Sequence, residues 1–134
     1  GLFSGALTEL PGISKVFDRG LVTYTYGAKI EELGVKKETL TKYTAESIEV
    51  AREMAEGLAA KTGSRLCISV TGIAGPDGGT EEKPVGTIYT GCVFDGKTYA
   101  EQIALRNVSR SWNRHFAVLS MFDMINRIIE EEKA

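Results

Sequence analysis

The segment with the clearest potential to bind a ligand is the glycine-rich stretch 71–79, which reads TGIAGPDGG. It follows a mostly apolar run at 65–71, which predicts a buried strand, and ligands bind at the carboxyl ends of strands in open α/β sheets. Its glycines allow backbone N–H groups to approach a ligand closely, and we expect the Thr71 hydroxyl to face the same opening. Those glycines are Gly72, Gly75, Gly78 and Gly79. Neither a Walker loop nor G-x-G-x-x-G is present, so the stretch alone fits a flexible turn equally well.

A tyrosine and a lysine accompany the first predicted strand, at residues 21–26. Lys29 lies early in the following helix, where a cation opposes the helix dipole, which suggests a specific task such as holding an anion or activating a hydroxyl. Tyr24 lies in the strand itself. Spacing alone favours the simpler interpretation of a surface lysine and a core tyrosine.

Three arginines at intervals of four, Arg106, Arg110 and Arg114, precede or begin the last predicted helix. A helix start with arginines suits a phosphate group, although a basic surface turn explains the same pattern. His115 is the only histidine, and no partner for a catalytic triad is evident, so we interpret it as structural. Lys83 begins the sequence KPVG, which returns the chain to a strand, and we interpret its ammonium as solvated.

The remaining elements follow from hydrophobic period, caps and turns. We predict helices at 2–10, 28–33, 36–43 and 47–61, strands at 86–94 and 97–105 joined by Asp95-Gly96, and a last helix capped near Ser109. The buried face of that helix is predicted to contain Trp112, Phe116, Leu119, Phe122, Ile125, Ile128 and Ile129. This order implies a single α/β domain with a mixed sheet and helices packed on it.

Composition narrows the class of protein further. The chain has 134 residues and a net charge of −2, which fits one domain and argues against a nucleic-acid partner. Cys67 and Cys92 lie in apolar runs without metal-ligand spacing, so we expect buried free thiols and no metal site. With no signal peptide and no run of about 18 apolar residues, we expect a cytoplasmic protein without membrane contact.

Several motifs together resemble the C-terminal domain of the CinA family, also known as the nicotinamide-nucleotide amidase family. They are LTELPG at 7–12, GLVTY at 20–24 with Lys29 after it, LGV at 33–35, VTGIAGP at 70–76 with GG at 78–79, and KPVG at 83–86. Their order and spacing cover nearly the whole chain. The combination of TGIAGPxGG and KPVG is specific to that family.

The resemblance implies a three-layer α/β/α sandwich that hydrolyses nicotinamide mononucleotide to nicotinate mononucleotide and ammonia, in NAD recycling. It implies no cofactor and no metal, a small nucleotide as the partner, a homo-oligomer, and in many bacteria fusion behind a molybdopterin-binding-like domain. One alternative is a non-catalytic nucleotide-binding or scaffolding domain of a competence/damage-inducible protein. A nucleic-acid adaptor linked to competence is disfavoured by the acidic balance.

Site residues carry over from the family by position. Tyr24 and Lys29 match residues thought to assist a serine nucleophile. Thr71 and Gly72 match the loop that lines the site, with Gly75, Gly78 and Gly79 following in the same loop. Arg110 matches the arginine of a G-D-R segment that reads VSR here, and it would anchor a phosphate.

The family's nucleophile lies in the motif E-S-C-T-G-G, whose last glycine matches Gly1. We therefore expect residues 1–134 to be the amidase domain truncated at its N-terminus, with the serine and the first strand preceding Gly1. Ser4 is not a substitute, because it lies about a turn or more into the first helix.

Overall fold

A computed structural model describes residues 1–104 and 107–134. Its helices are α1 (Leu2–Thr8), α2 (Tyr26–Leu33), α3 (Lys37–Tyr43), α4 (Ile48–Thr62) and α5 (Arg110–Lys133), and its strands are β1 (Leu66–Gly72), β2 (Thr87–Phe94) and β3 (Lys97–Ala104). A single 3₁₀ turn occupies Ile13–Lys15. Leu105, the predicted end of the last strand, and Arg106 lie outside the described residues.

The sheet differs from the predicted mixed sheet. In the described residues it has three strands in the order β1-β2-β3, and both pairs are antiparallel. The predicted turn at Asp95-Gly96 is confirmed, with φ values of 48° and 82° that suit a tight hairpin. The loop 73–86 and the turn at Asp95-Gly96 each reverse the chain, so both strand pairs of the described sheet run antiparallel.

The predicted strand at 21–26 is wrong. Residues 17–24 form an irregular segment, and α2 already begins at Tyr26. β-branched and aromatic residues favour extended backbone, but a strand also needs a neighbour for its N–H and C=O groups. No described strand pairs with this segment, and Val22 is 65% exposed.

Helix α4 covers one face of the sheet. The predicted cap is confirmed, because the Ser47 hydroxyl accepts a hydrogen bond from the Val50 N–H at 3.2 Å. Ala55 packs with Cys67 of β1 and Val93 of β2 in a buried cluster. Helix and sheet also touch through polar groups, since the Ser69 hydroxyl donates to the Ala51 carbonyl oxygen at 2.6 Å.

Helix α5 covers the opposite face, because Cys92 alternates with Val93 along β2 and packs against Met124 and Ile128. The predicted cap at Ser109 is confirmed by its bond from the Trp112 N–H. The predicted buried face is partly wrong, since Trp112 is 42% and Leu119 62% exposed. The residues that α5 buries are Asn113, Ala117, Met121, Met124 and Ile128. The helix carries two apolar stripes. The stripe that contains Met121 and Met124 faces the sheet, and the stripe that contains Trp112 and Leu119 does not.

Both thiols are buried and free, as predicted. Burial raises the pKa of Cys92 to about 12, so this thiol stays protonated at neutral pH and is a poor nucleophile. Among the described residues no helix is long and apolar enough to cross a membrane.

The close approach of α4 to β2 leads to a stability prediction. A Cβ atom at Gly91 would lie against the Ala51 carbonyl oxygen, so Gly91→Ala should lower the free energy of unfolding by about 1–3 kcal/mol through overpacking. Gly5→Ala in α1 is the matched control, because a Cβ there meets nothing within 4 Å; it should be neutral or stabilising by about 0.5–1 kcal/mol. Urea titrations measure both, and equal effects of the two substitutions would contradict the packing argument.

Candidate active site

A groove of about 1030 Å³ runs between β1, α1, α5 and the irregular segment 17–24. The predicted site residues Tyr24, Lys29, Thr71, Gly72 and Arg110 all line it. Gly78 and Gly79 do not; they line a separate open hollow of about 490 Å³ within the glycine loop. The structure therefore brings five of the eight predicted residues around one cavity, and Gly75 reaches this group through its carbonyl oxygen.

Lys29 is buried, in contrast to the surface lysine that spacing favoured. It lies in the first turns of α2, where the Thr25 hydroxyl caps the helix by accepting from the Ala28 N–H. Its Nζ donates to the Thr23 carbonyl oxygen at 2.6 Å. Burial lowers the pKa of the Lys29 ammonium, and the Glu46 carboxylate opposes that effect by raising it.

Tyr24 is 77% exposed, so the interpretation as a core tyrosine is wrong. Its backbone follows directly on the Thr23 carbonyl that Lys29 holds, and its hydroxyl accepts a hydrogen bond from Arg110 Nη2 at 3.0 Å. The next aromatic residue has a structural task, because the Tyr26 hydroxyl accepts from the Ala45 N–H at 3.2 Å.

Thr71 fixes the end of β1 and does not offer a free hydroxyl to the groove. Its Oγ1 donates to the Ala45 carbonyl oxygen at 2.9 Å, and the residue is buried. Beside it, a Cβ at Gly72 would come within 2.6 Å of the Thr87 carbonyl oxygen, so this position has room for glycine only. Both residues act by placing backbone at the mouth of the groove.

Two side chains of α5 hold the glycine loop, and the sequence singled out only one of them, Arg110. Asn113, which is completely buried, donates from Nδ2 to the Ala74 carbonyl oxygen at 3.0 Å. One turn earlier in α5, Arg110 Nη1 donates to the Gly75 carbonyl oxygen at 2.8 Å. The first half of the loop is thus fastened to the start of α5.

Lys83 fastens the other end of the loop, so its interpretation as a solvated charge is wrong. Its Nζ donates to the carbonyl oxygens of Tyr43 at 2.9 Å and Glu46 at 2.6 Å, and to the Thr44 hydroxyl at 3.3 Å. These groups form the turn between α3 and α4. That turn also accepts the bond from Thr71, so strand, loop and turn are joined at one point.

Asn113 and Glu46 were not singled out from the sequence, which carried a signal for Asn113 and none for Glu46. Asn113 lies on the same face of α5 as the buried apolar residues of that helix. A polar side chain on a buried face needs a hydrogen-bond partner, so its position was a signal in the sequence. Glu46 also lines the groove, but nothing in its sequence neighbourhood points to Lys29. In the part of the chain that the structure describes, His115 bonds within its own helix, through Nδ1 and the Ser111 carbonyl oxygen, in keeping with a structural role.

The arrangement suits acid–base chemistry on an anionic ligand. A lysine with a lowered pKa can lose and regain a proton near neutral pH more readily than an exposed one. Arg110 and Arg114 line the same groove and supply cations for an oxyanion. Arg106, grouped with them by sequence, lies outside the described residues. Within the described ranges no group of three or more His, Cys, Asp or Glu side chains could hold a metal ion.

The profile of the CinA C-terminal domain matches residues 1–129. The chain belongs to the CinA C-terminal domain family. Its structure resembles the crystal structure of competence/damage inducible protein CihA from Agrobacterium tumefaciens, with a TM-score of 0.91 and 40% identity over 95% of this chain and 78% of that one. It also resembles competence damage-inducible protein A from Klebsiella pneumoniae, with a TM-score of 0.92 and 28% identity over 97% of this chain and 80% of that one.

Curated CinA relatives are much longer than this chain. A competence-damage inducible protein of Clostridium botulinum is 48% identical over 130 residues, which are 97% of this chain and 32% of that protein. One from Acetivibrio thermocellus is 48% identical over 133 residues, which are 99% of this chain and 32% of that protein. The chain therefore spans about a third of the curated relatives it matches.

The lowered pKa of Lys29 in the CinA domain predicts a pH dependence of stability. Between the folded pKa and the ordinary value of 10.5, the unfolded chain binds more protons at this position than the folded one. Folding is therefore favoured as pH rises through that window. We expect the free energy of unfolding of the parent chain, minus that of Lys29→Met, to increase with pH up to about 10.5.

Urea titrations at a series of pH values measure this difference. Lys37→Met is the matched control, because Lys37 is exposed at the start of α3 and its loss removes a lysine that is not buried. A flat difference for Lys29→Met would show that burial does not disfavour the charged form.

Proposed function

We propose that the full-length protein hydrolyses the carboxamide of nicotinamide mononucleotide, giving nicotinate mononucleotide and ammonia. The observation that carries the proposal is the position of Lys29, a buried lysine with a lowered pKa that lines the same groove as Tyr24 and Arg110. Membership of the CinA family supports the assignment, since the family resemblance implies this reaction.

The reaction needs a nucleophile, which we propose is a serine preceding Gly1. Its Oγ attacks the carboxamide carbon while Lys29, as the neutral amine, takes the hydroxyl proton directly or through Tyr24. The C–N bond then breaks, and the same proton passes to the nitrogen, which leaves as ammonia. Water attacks the resulting ester, one of its protons returns to the serine and the other is released to solvent, and the carboxylate product leaves.

The substrate's phosphate is assigned to Arg110. Among the described residues, Gly75 and Tyr24 take two of its five N–H groups, which leaves three for a phosphate oxyanion. Arg114 lines the same groove and adds positive charge. The loop from Gly72 to Gly75, held by Asn113, presents backbone to the ribose. Gly78 and Gly79 are assigned a part in shaping this loop.

The groove also offers a place for the strand that we expect before Gly1. In the described residues β1 pairs with β2 alone, and its other edge lies along the groove opposite segment 17–24. A strand entering there would satisfy the free edge of β1 and deliver the serine to the start of α1. On this proposal the sheet of the full-length protein gains a strand, which restores the mixed sheet of a three-layer domain.

Two features of the whole protein remain proposals. The greater length of the curated relatives fits fusion to a further domain, which we propose is of the molybdopterin-binding type. We propose a homo-oligomer as well.

The central test is ammonia release from nicotinamide mononucleotide by the full-length protein. Removing the general base with Lys29→Met should lower kcat by roughly 10²–10⁴-fold. Lys37→Met, which removes an exposed lysine from α3, is the control and should match the parent. Equal rates for the parent and Lys29→Met would refute the role of the lysine.

The same assay separates the amidase from its alternative, a non-catalytic nucleotide-binding domain. Calorimetric binding of nicotinamide mononucleotide without any ammonia release would favour the binding domain. If the protein neither binds nicotinamide mononucleotide nor releases ammonia from it, both proposed functions are excluded.

A further inference from the structure

Arg110 joins the two halves of the candidate active site. Its Nη1 donates to the Gly75 carbonyl oxygen of the glycine loop at 2.8 Å, and its Nη2 donates to the Tyr24 hydroxyl at 3.0 Å. The loop and the tyrosine belong to distant parts of the sequence. The guanidinium is the group that connects them.

Tyr24 depends on this bond for its orientation. The side chain is 77% exposed, so packing does little to fix its ring. Among the described residues, Arg110 is the hydrogen-bond partner of its hydroxyl. In that bond the tyrosine oxygen accepts, which leaves its own O–H free to donate.

We propose that Arg110 is a positioning residue for Tyr24 in addition to its assignment as the phosphate anchor. One planar guanidinium then holds the tyrosine hydroxyl, the loop carbonyl and the substrate's phosphate, so that phosphate binding and tyrosine orientation are coupled. This inference rests on the proposed function, because it gives the phosphate-binding residue a part in the proton transfer.

The geometry of the guanidinium is what the coupling requires. Two N–H groups on different nitrogens point at Gly75 and Tyr24, and the remaining donors are available to an oxyanion in the same plane. A lysine at this position would keep the charge, but its ammonium is a compact donor that cannot span the same groups in a fixed fork. Arg110→Lys therefore separates charge from positioning.

The first arm of the test is the steady-state kinetics of the full-length protein with nicotinamide mononucleotide. If Arg110 positions Tyr24, Arg110→Lys should lower kcat by about tenfold and change KM by less than about threefold. A residue that only binds phosphate would raise KM and leave kcat unchanged, and that result would overturn the inference. Arg52→Lys, at an exposed position of α4, is the matched control.

A double-mutant cycle distinguishes an effect of Arg110 through Tyr24 from a merely structural role of Arg110. If Arg110 acts on kcat through Tyr24, the loss caused by Arg110→Lys should vanish in a Tyr24→Phe background. The double variant should then have the kcat of Tyr24→Phe alone. Independent losses that multiply would show that Arg110 does not act through the tyrosine.

A second arm decides the inference even if the protein hydrolyses no pyridine nucleotide. In protein labelled with ¹³C at tyrosine rings, the Tyr24 signal is assigned by its loss in Tyr24→Phe. We expect inorganic phosphate or nicotinamide mononucleotide to shift this signal in the parent and not in Arg110→Lys. A Tyr24 signal that is unchanged by either ligand in the parent, or that shifts equally in both proteins, would overturn the coupling. Failure of hydrolysis alone would count against the proposed function only.

Discussion

The candidate site depends on side chains that satisfy backbone carbonyl oxygens outside helices and strands. Irregular backbone has no ladder to pair its polar groups, and leaving them unpaired away from water is costly. Lys29 donates to Thr23, six residues away. The other donors come from far along the chain: Thr71 to Ala45, Asn113 to Ala74, Arg110 to Gly75, and Lys83 to Tyr43 and Glu46. These bonds tie the irregular segments around the groove to one another and to the neighbouring helices and strands.

These donors differ in what remains after the carbonyl is satisfied. The single hydroxyl donor of Thr71 is used by the Ala45 carbonyl oxygen. Lys29 and Arg110 line the groove and keep further N–H groups, because an ammonium has three and a guanidinium five. The groups that build the site can therefore also bind within it. In a chain of net charge −2, their position beside Arg114 concentrates positive charge where an anion would enter.

Features that depend on neighbouring residues in the sequence were predicted well, whereas features that depend on contacts between distant residues were not. Ser47 and Ser109 cap the helices predicted for them, because a cap depends on residues three positions apart. The prediction of a strand at 21–26 was wrong because a strand needs a neighbouring strand to pair with, and the residues of this segment do not indicate whether one is present. The Lys83 ammonium finds its oxygens about 40 residues away, so no local pattern could distinguish it from a solvated lysine. Motif resemblance placed Lys29 and Arg110 at the site where spacing alone favoured the surface.

The contact between α4 and the sheet affects the chemistry of the site as well as the packing of the core. Gly91 allows the Ala51 backbone to approach β2, and the Ser69 hydroxyl holds it there. The position of α4 on the sheet in turn fixes the position of the preceding turn, and Glu46 lies in that turn. The Glu46 carboxylate opposes the effect of burial on the pKa of Lys29, so its distance from the ammonium helps to set the protonation of the proposed base. A small displacement of α4 would therefore change the chemistry of the site while leaving every groove residue in the sequence unchanged. The packing of α4 on the sheet is in this way part of the electrostatics of the groove.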